Sequence, residues 1–240
     1  MIRCLALALA LGGCQAIFPL EDKQELPPSG LCEDDALQLC FDFEDDLDDG
    51  ALDQSGFGHE GELSDPEGAM RGSHRAIAVD DDSSVRVDGA SSLDARASMT
   101  FELWFGFDVP PAGDAGLLAR HGHYRITLRG DLRVRCAVVV SSGIDHEAIS
   151  TDAVSAGWHH VACVKDDTVL RIYIDGQLRD TRRSVSVMVP TRIPDPLYLG
   201  LDTDATGTEQ LPFDGTLDDV RMFSRALSDS EVAANFVAFQ

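Results

Sequence analysis

Residues 158–180 read W-H-H-V-A-C-V-K-D-D-T-V-L-R-I-Y-I-D-G-Q-L-R-D. Two runs of alternating residues flank the polar turn Lys165-Asp166-Asp167-Thr168. In the second run Leu170, Ile172 and Ile174 fall on one side, and Arg171, Tyr173 and Asp175 on the other. A period of two is what a half-buried strand needs, and Asp175-Gly176 supplies the φ > 0 residues of a tight hairpin turn. The stretch predicts three consecutive strands forming a meander with one apolar face.

The same period recurs outward from this meander. Phe101, Leu103, Phe105 and Phe107 share one side of a strand, with Thr100, Glu102 and Trp104 on the other; Pro110, Pro111 and Gly113 end it. Further strands are predicted over residues 39–44, 75–79, 84–87, 116–119, 124–129, 132–141, 179–187, 197–201 and 215–223. Residues 144–147, I-D-H-E, read as a loop. Ser228-Asp229-Ser230-Glu231 matches a capping box and predicts a helix over 229–236. Many short strands punctuated by turn signals predict an all-β fold, an antiparallel two-sheet jelly-roll β-sandwich with a short C-terminal helix. That domain spans residues 39–240.

A formal charge of −23 argues against nucleic acid or an anionic membrane surface as partner. At the N-terminus, Arg3 precedes the apolar run Leu5 to Leu11, which is too short to span a bilayer. Residues 1–13 therefore read as a signal peptide. Leu11-Gly12-Gly13-Cys14 resembles the lipobox of bacterial lipoproteins, which implies lipidation of Cys14 and anchoring to a membrane. An ordinary secretory signal is the alternative. Gln15 after the cysteine suggests, by analogy with lipoprotein sorting, the outer membrane, facing the cell surface or the periplasm. Residues 14–38, with Pro19, Pro27, Pro28 and several acids, read as a tether.

Cys4 leaves with the signal and Cys14 takes the lipid, so Cys32, Cys40, Cys136 and Cys163 remain for an oxidising compartment. They allow three pairings. Cys32–Cys40 closes a short local loop, and Cys136–Cys163 joins two strands expected to be neighbours; these two are favoured. None has the C-x-x-C spacing of zinc or redox sites.

Four ordered segments carry a family resemblance: Leu52-Asp53-Gln54-Ser55-Gly56-Phe57-Gly58 with Gly61, Thr100 to Phe105, the hairpin Trp158 to Gly176, and Phe213-Asp214-Gly215-Thr216-Leu217-Asp218-Asp219-Val220-Arg221. Together they resemble laminin-G-like domains of the concanavalin A-like lectin/glucanase superfamily over roughly residues 40–240. The resemblance implies a structural calcium held by Glu44 and Asp219, with Asp53 and Asp218 as neighbours; Ca²⁺ takes oxygen ligands from loop carboxylates and carbonyls. It also implies a core position for Trp158, and a use in binding glycans or glycoconjugates. Asp202-Thr203-Asp204-Ala205-Thr206-Gly207 fits half of a calcium loop, but Phe213 stands where the closing Glu belongs, so it reads as a polar hairpin loop.

Adjacent His159 and His160 point to opposite faces of a strand and cannot share a metal ion. Retaining glucanases of the superfamily carry two carboxylates in an E-x-D-x-E string, which this sequence lacks, as it lacks a G-x-S-x-G elbow. The chain therefore reads as non-catalytic, with a glycoside hydrolase the third reading. Sugar recognition needs exposed rings beside polar groups. Trp104 with Glu102, and Tyr173 with Arg171, are the candidate ligand-binding residues, lining one sheet. The alternative partner is another surface protein, without sugar binding.

Overall fold

The computed structural model describes residues 30–238, apart from 46, 48–49, 66, 95, 140–144, 184–194 and 204–207. In chain order the first strands are β1 (Leu37–Phe41), β2 (Gly61–Leu63), β3 (Glu67–Arg71), β4 (His74–Val79) and β5 (Val85–Val87). A 3-10 turn at Ser91–Leu93 leads into β6 (Met99–Phe107). Then come β7 (Ala115–Arg120), β8 (Tyr124–Leu128), β9 (Val134–Val139) and β10 (Asp145–Ile149). The predicted meander follows as β11 (Gly157–Asp166), β12 (Val169–Ile174) and β13 (Gln177–Arg183). The chain closes with β14 (Leu197–Leu199), the pair β15 (Asp202–Thr203) and β16 (Glu209–Gln210), β17 (Gly215–Phe223) and helix α1 (Asp229–Ala238).

Two antiparallel sheets face each other. The larger has the order β13-β12-β11-β6-β17-β4-β3, with β1 also paired to β17; the smaller has the order β10-β9-β8-β7-β14-β5-β2. Phe101, Leu103, Phe105 and Phe107 from β6 enter the same core as Leu170, Ile172 and Ile174 from β12. Opposite them stand Leu117, Ile126, Leu128, Val134 and Val138 of the smaller sheet. Each such side chain, fully buried, contributes about 1.5–3 kcal/mol. The Asp175-Gly176 turn has both residues at positive φ, 51° and 69°, as a type I′ hairpin demands.

Some boundaries differ from the sequence reading. Strand β1 is Leu37–Phe41 rather than 39–44, because Phe43 takes φ 52° and turns the chain out of the sheet. Residues 145–149, read partly as loop, form β10 by pairing with β9 from Asp145↔Val139 to Ile149↔Arg135. Its mixed polar sequence hides it, and it is an edge strand. Ile149 N–H donates to the Asp180 carboxylate of β13 at 3.2 Å, so the two sheets are tied along this edge. The signal segment and most of the tether, residues 1–29, lie outside the described residues. Among the described residues no helix is long and apolar enough to cross a membrane.

Both favoured disulfides form, with Cα–Cα distances of 5.8 Å for Cys32–Cys40 and 5.9 Å for Cys136–Cys163. The second does not join neighbouring strands: Cys136 is on β9 of the smaller sheet and Cys163 on β11 of the larger. Both cysteines point into the core, so the bond staples the layers through their interior. Loop-closure entropy assigns such a cross-link about 3 kcal/mol. The double variant Cys136→Ala/Cys163→Ala is expected to lose about that much in urea unfolding, and a change under about 1 kcal/mol would show that the bridge does not constrain the unfolded chain.

Candidate functional site

The outer face of the larger sheet carries rows of side chains set by strand register. Across β11, β6 and β17 the rows are Trp158·Gly106·Thr216, then His160·Trp104·Asp218, then Ala162·Glu102·Arg221. Helix α1 lies on this face. Its start is a reciprocal capping box, in which Ser228 N–H donates to the Glu231 carboxylate at 2.7 Å and Glu231 N–H to Ser228 Oγ at 3.3 Å. Val232 packs with Ala162, Val164, Tyr173, Phe223 and Leu227 in a second apolar cluster between helix and sheet.

Three of the four residues predicted to bind ligand lie under this helix. Glu102 has no exposed surface, Trp104 is 5% exposed and Tyr173 is 1% exposed; Arg171 alone is half-buried. Glu102 forms an ion pair with Arg221 at 2.5 Å and accepts from Asn235 Nδ2 of α1 at 2.9 Å, with His160 Nε2 at 3.6 Å. Burial alone would raise its pKa, but Arg221, His160 and Asn235 outweigh that and hold it below the ordinary value. Trp104 stacks on Phe236 of the helix, with ring centroids 5.5 Å apart. Tyr173 donates its hydroxyl to Asp229 at 2.6 Å. These side chains secure the helix and do not form an open stacking surface.

The predicted calcium ligands also have other partners. Asp53 accepts four hydrogen bonds, from the Cys40, Ser55 and His59 backbone amides and the Ser55 hydroxyl, at 2.8–3.0 Å. Glu44 takes His74 Nδ1 at 3.1 Å and the Arg75 amide at 3.2 Å. Asp218 and Asp219 both bind the guanidinium of Arg71, Asp218 at 2.8 Å from Nε. Neighbours on a strand normally point apart, but a bulge between Asp218 and Arg221 puts Asp219 at φ 48° and brings both carboxylates to one cation. That guanidinium stands 4.5 Å from the Trp104 ring centroid, and its single charge is shared by the two acids. Among the described residues no group of three or more His, Cys, Asp or Glu is arranged to hold a metal ion. The four residues do not fit a calcium ion in this arrangement.

Among these three rows, the one that α1 leaves open is the first. There β6 ends while β11 and β17 begin, and a cleft of about 420 Å³ is lined by Met70, Gly106, Asp108, Trp158, Asp214 and Thr216 among others. Trp158, expected in the core, is only partly buried and forms the floor. A Cβ at Gly106 would meet Trp158 Cδ2 at 2.8 Å and Thr216 Oγ1 at 2.8 Å, so the bare backbone of Gly106 is the bed on which the indole lies. Trp158 also borders a second recess of about 300 Å³ with Arg71, Trp104, Asp175 and Phe236. Asp108 and Asp214 are exposed. Sequence reading missed this constellation, although Gly106 opposite an aromatic in the next strand was a usable signal.

Comparison with known proteins agrees with this architecture. Residues 79–233 match the sequence profile of the concanavalin A-like lectin/glucanases superfamily. The chain belongs to that superfamily. No curated protein matches it. Among solved structures it is similar to domain 4 of AbnA, a GH43 extracellular arabinanase from Geobacillus stearothermophilus, in complex with arabinotriose: TM-score 0.66, 18% identity, covering 83% of this chain and 97% of that one. It is also similar to the binding domain of Paraclostridial Mosquitocidal Protein 1, with TM-score 0.68 and 18% identity over 86% of this chain and 52% of that one. The binding domain of Botulinum Neurotoxin DC in complex with SialylT gives TM-score 0.66 and 12% identity, over 86% and 52%. The chain thus spans about half the length of the mosquitocidal-protein and neurotoxin binding domains and nearly all of the arabinanase domain. At these identities the likeness is one of fold.

Burial pushes the Asp218 carboxyl up to about 8, aided by the Asp219 charge and opposed by Arg71, and burial lifts Asp219 to about 6. In the unfolded chain both ionise near the ordinary value of about 3.9, so the folded state holds protons that unfolding releases. Stability contributed by this pair is therefore full at low pH and falls as pH rises from about 4 towards about 8. Asp218→Asn keeps an acceptor for Arg71 and removes the titration. Urea unfolding at pH 5 and pH 8 is expected to show a smaller loss for the variant than for the parent, by about 1 kcal/mol or more; equal losses would mean Asp218 titrates normally.

Proposed function

We propose that this protein is a non-catalytic, lipid-anchored surface module that binds glycans in the cleft over Trp158. The observation that carries the reading is the partly exposed indole set on Gly106, with a hydroxyl and two carboxylates around one open cleft. A flat ring covers the apolar face of a pyranose or furanose, while Asp108, Asp214 and the Thr216 oxygen, whose proton goes to the Gly106 carbonyl at 3.2 Å, offer acceptors for its hydroxyls. Similarity to an arabinanase domain in complex with arabinotriose and to a toxin binding domain in complex with SialylT supports it. A glycosidase needs a carboxylic acid kept protonated by removal from water. Asp108 and Asp214 are both open to solvent. That exposure and the missing E-x-D-x-E string support a binding role over a hydrolytic one.

A soluble form starting at Gln15, screened on a glycan array, tests the reading. Trp158→Ala is expected to weaken binding of any hit at least about tenfold, or about 1.4 kcal/mol, with the fold retained by circular dichroism. A protein partner is the second reading, supported by Met70 and Val109 at the cleft, 57% and 73% exposed, and by similarity to Botulinum neurotoxin DC in complex with rat synaptotagmin II. Absence of any glycan hit would favour it.

Membrane anchoring rests on Leu11-Gly12-Gly13-Cys14. Cys14→Ser is expected to move the protein from the membrane fraction to the soluble fraction; retention in the membrane would remove the lipid from the reading.

A further inference from the structure

The cleft has a sign. Its charged lining residues are Asp108 and Asp214, and neither carboxylate has a hydrogen bond or ion pair among the described residues. The guanidinium of Arg71, 6.0 Å from the Trp158 ring centroid, is already shared between Asp218 and Asp219. The face of an indole attracts a cation through its quadrupole, by about 0.5–1 kcal/mol at an exposed site. The chain as a whole carries −23, so the long-range field favours the same sign of ligand. Uronic, sialic and phosphorylated sugars would bring an anion against two unneutralised carboxylates. Resting on the glycan reading above, we infer that the cleft selects amino sugars with a free ammonium group, the sugar face on Trp158 and the ammonium between Asp108 and Asp214.

An N-acetylated amino sugar presents nearly the same ring without the charge, which gives the test its control. Binding of glucosamine oligosaccharides, their N-acetylated counterparts and a uronic-acid oligosaccharide would be measured by calorimetry on the soluble domain at mildly acidic pH. The free-amine form is expected to bind about fivefold or more tighter than the acetylated form at low salt. That ratio should shrink as salt is raised and the charges are screened. Asp108→Asn/Asp214→Asn should bring that ratio to within about twofold.

Equal binding of the two forms, both lost in Trp158→Ala, would overturn the ammonium selection and leave the glycan reading standing. A preference that persists in the double Asn variant would also overturn it, assigning the effect to the general negative field. Binding of a lysine-rich peptide through Trp158 with no oligosaccharide bound would overturn both readings in favour of a protein partner.

Discussion

An ionised carboxylate with no access to water governs the outer face of the larger sheet. Glu102 is tolerable there because donors converge on it from separate elements: Arg221 from β17 and Asn235 from α1, with His160 of β11 beside them. Leaving such a charge buried and unpaired would cost several kcal/mol, so the helix and the sheet are conditional on each other. The apolar contacts of Val232 and the stacking of Phe236 on Trp104 add to the same docking. A sheet that a jelly roll can leave open to solvent is thereby closed over the part of its outer face that holds Glu102, Trp104 and Tyr173.

What remains open is set by that closure. The rows holding Trp104 and Glu102 lie under or beside α1, and the row holding Gly106 does not. At that row the missing side chain of Gly106 provides room for an aromatic ring to rest on the backbone. Gly106→Ala would take that bed away. The open cleft is thus a consequence of one missing side chain and one helix.

Arg71 serves a different part of the scaffold. A bulge in β17 delivers two adjacent acids to one place, and a guanidinium from β3 answers both. Because the cation is part of the chain, it is present at any metal concentration. Its residual imbalance, two carboxylates against one guanidinium, leaves a protonation that follows pH within the fold. Sandwiches of this superfamily share the layers and differ in such local arrangements, which is why likeness of fold leaves the ligand to be argued from the site.

Alternating residues in β6 and β12 made the two faces of the larger sheet legible from sequence, because a strand's period of two assigns every side chain to one side. The Asp175-Gly176 turn, the capping box at Ser228 and the two disulfide pairs were readable for the same reason: each depends on residues near in sequence or few in number. Edge strand β10 escaped, since its polar residues match no half-buried pattern, and so did the sheet membership of Cys136 and Cys163. Sequence alone determined which residues share a face and that the chain folds as a β-sandwich. Only the tertiary structure decided which part of that face α1 covers, that Arg71 of β3 reaches the acids of β17, and that Trp158 stays in reach of solvent. Those outcomes depend on contacts between residues more than fifty positions apart, and no local period encodes them.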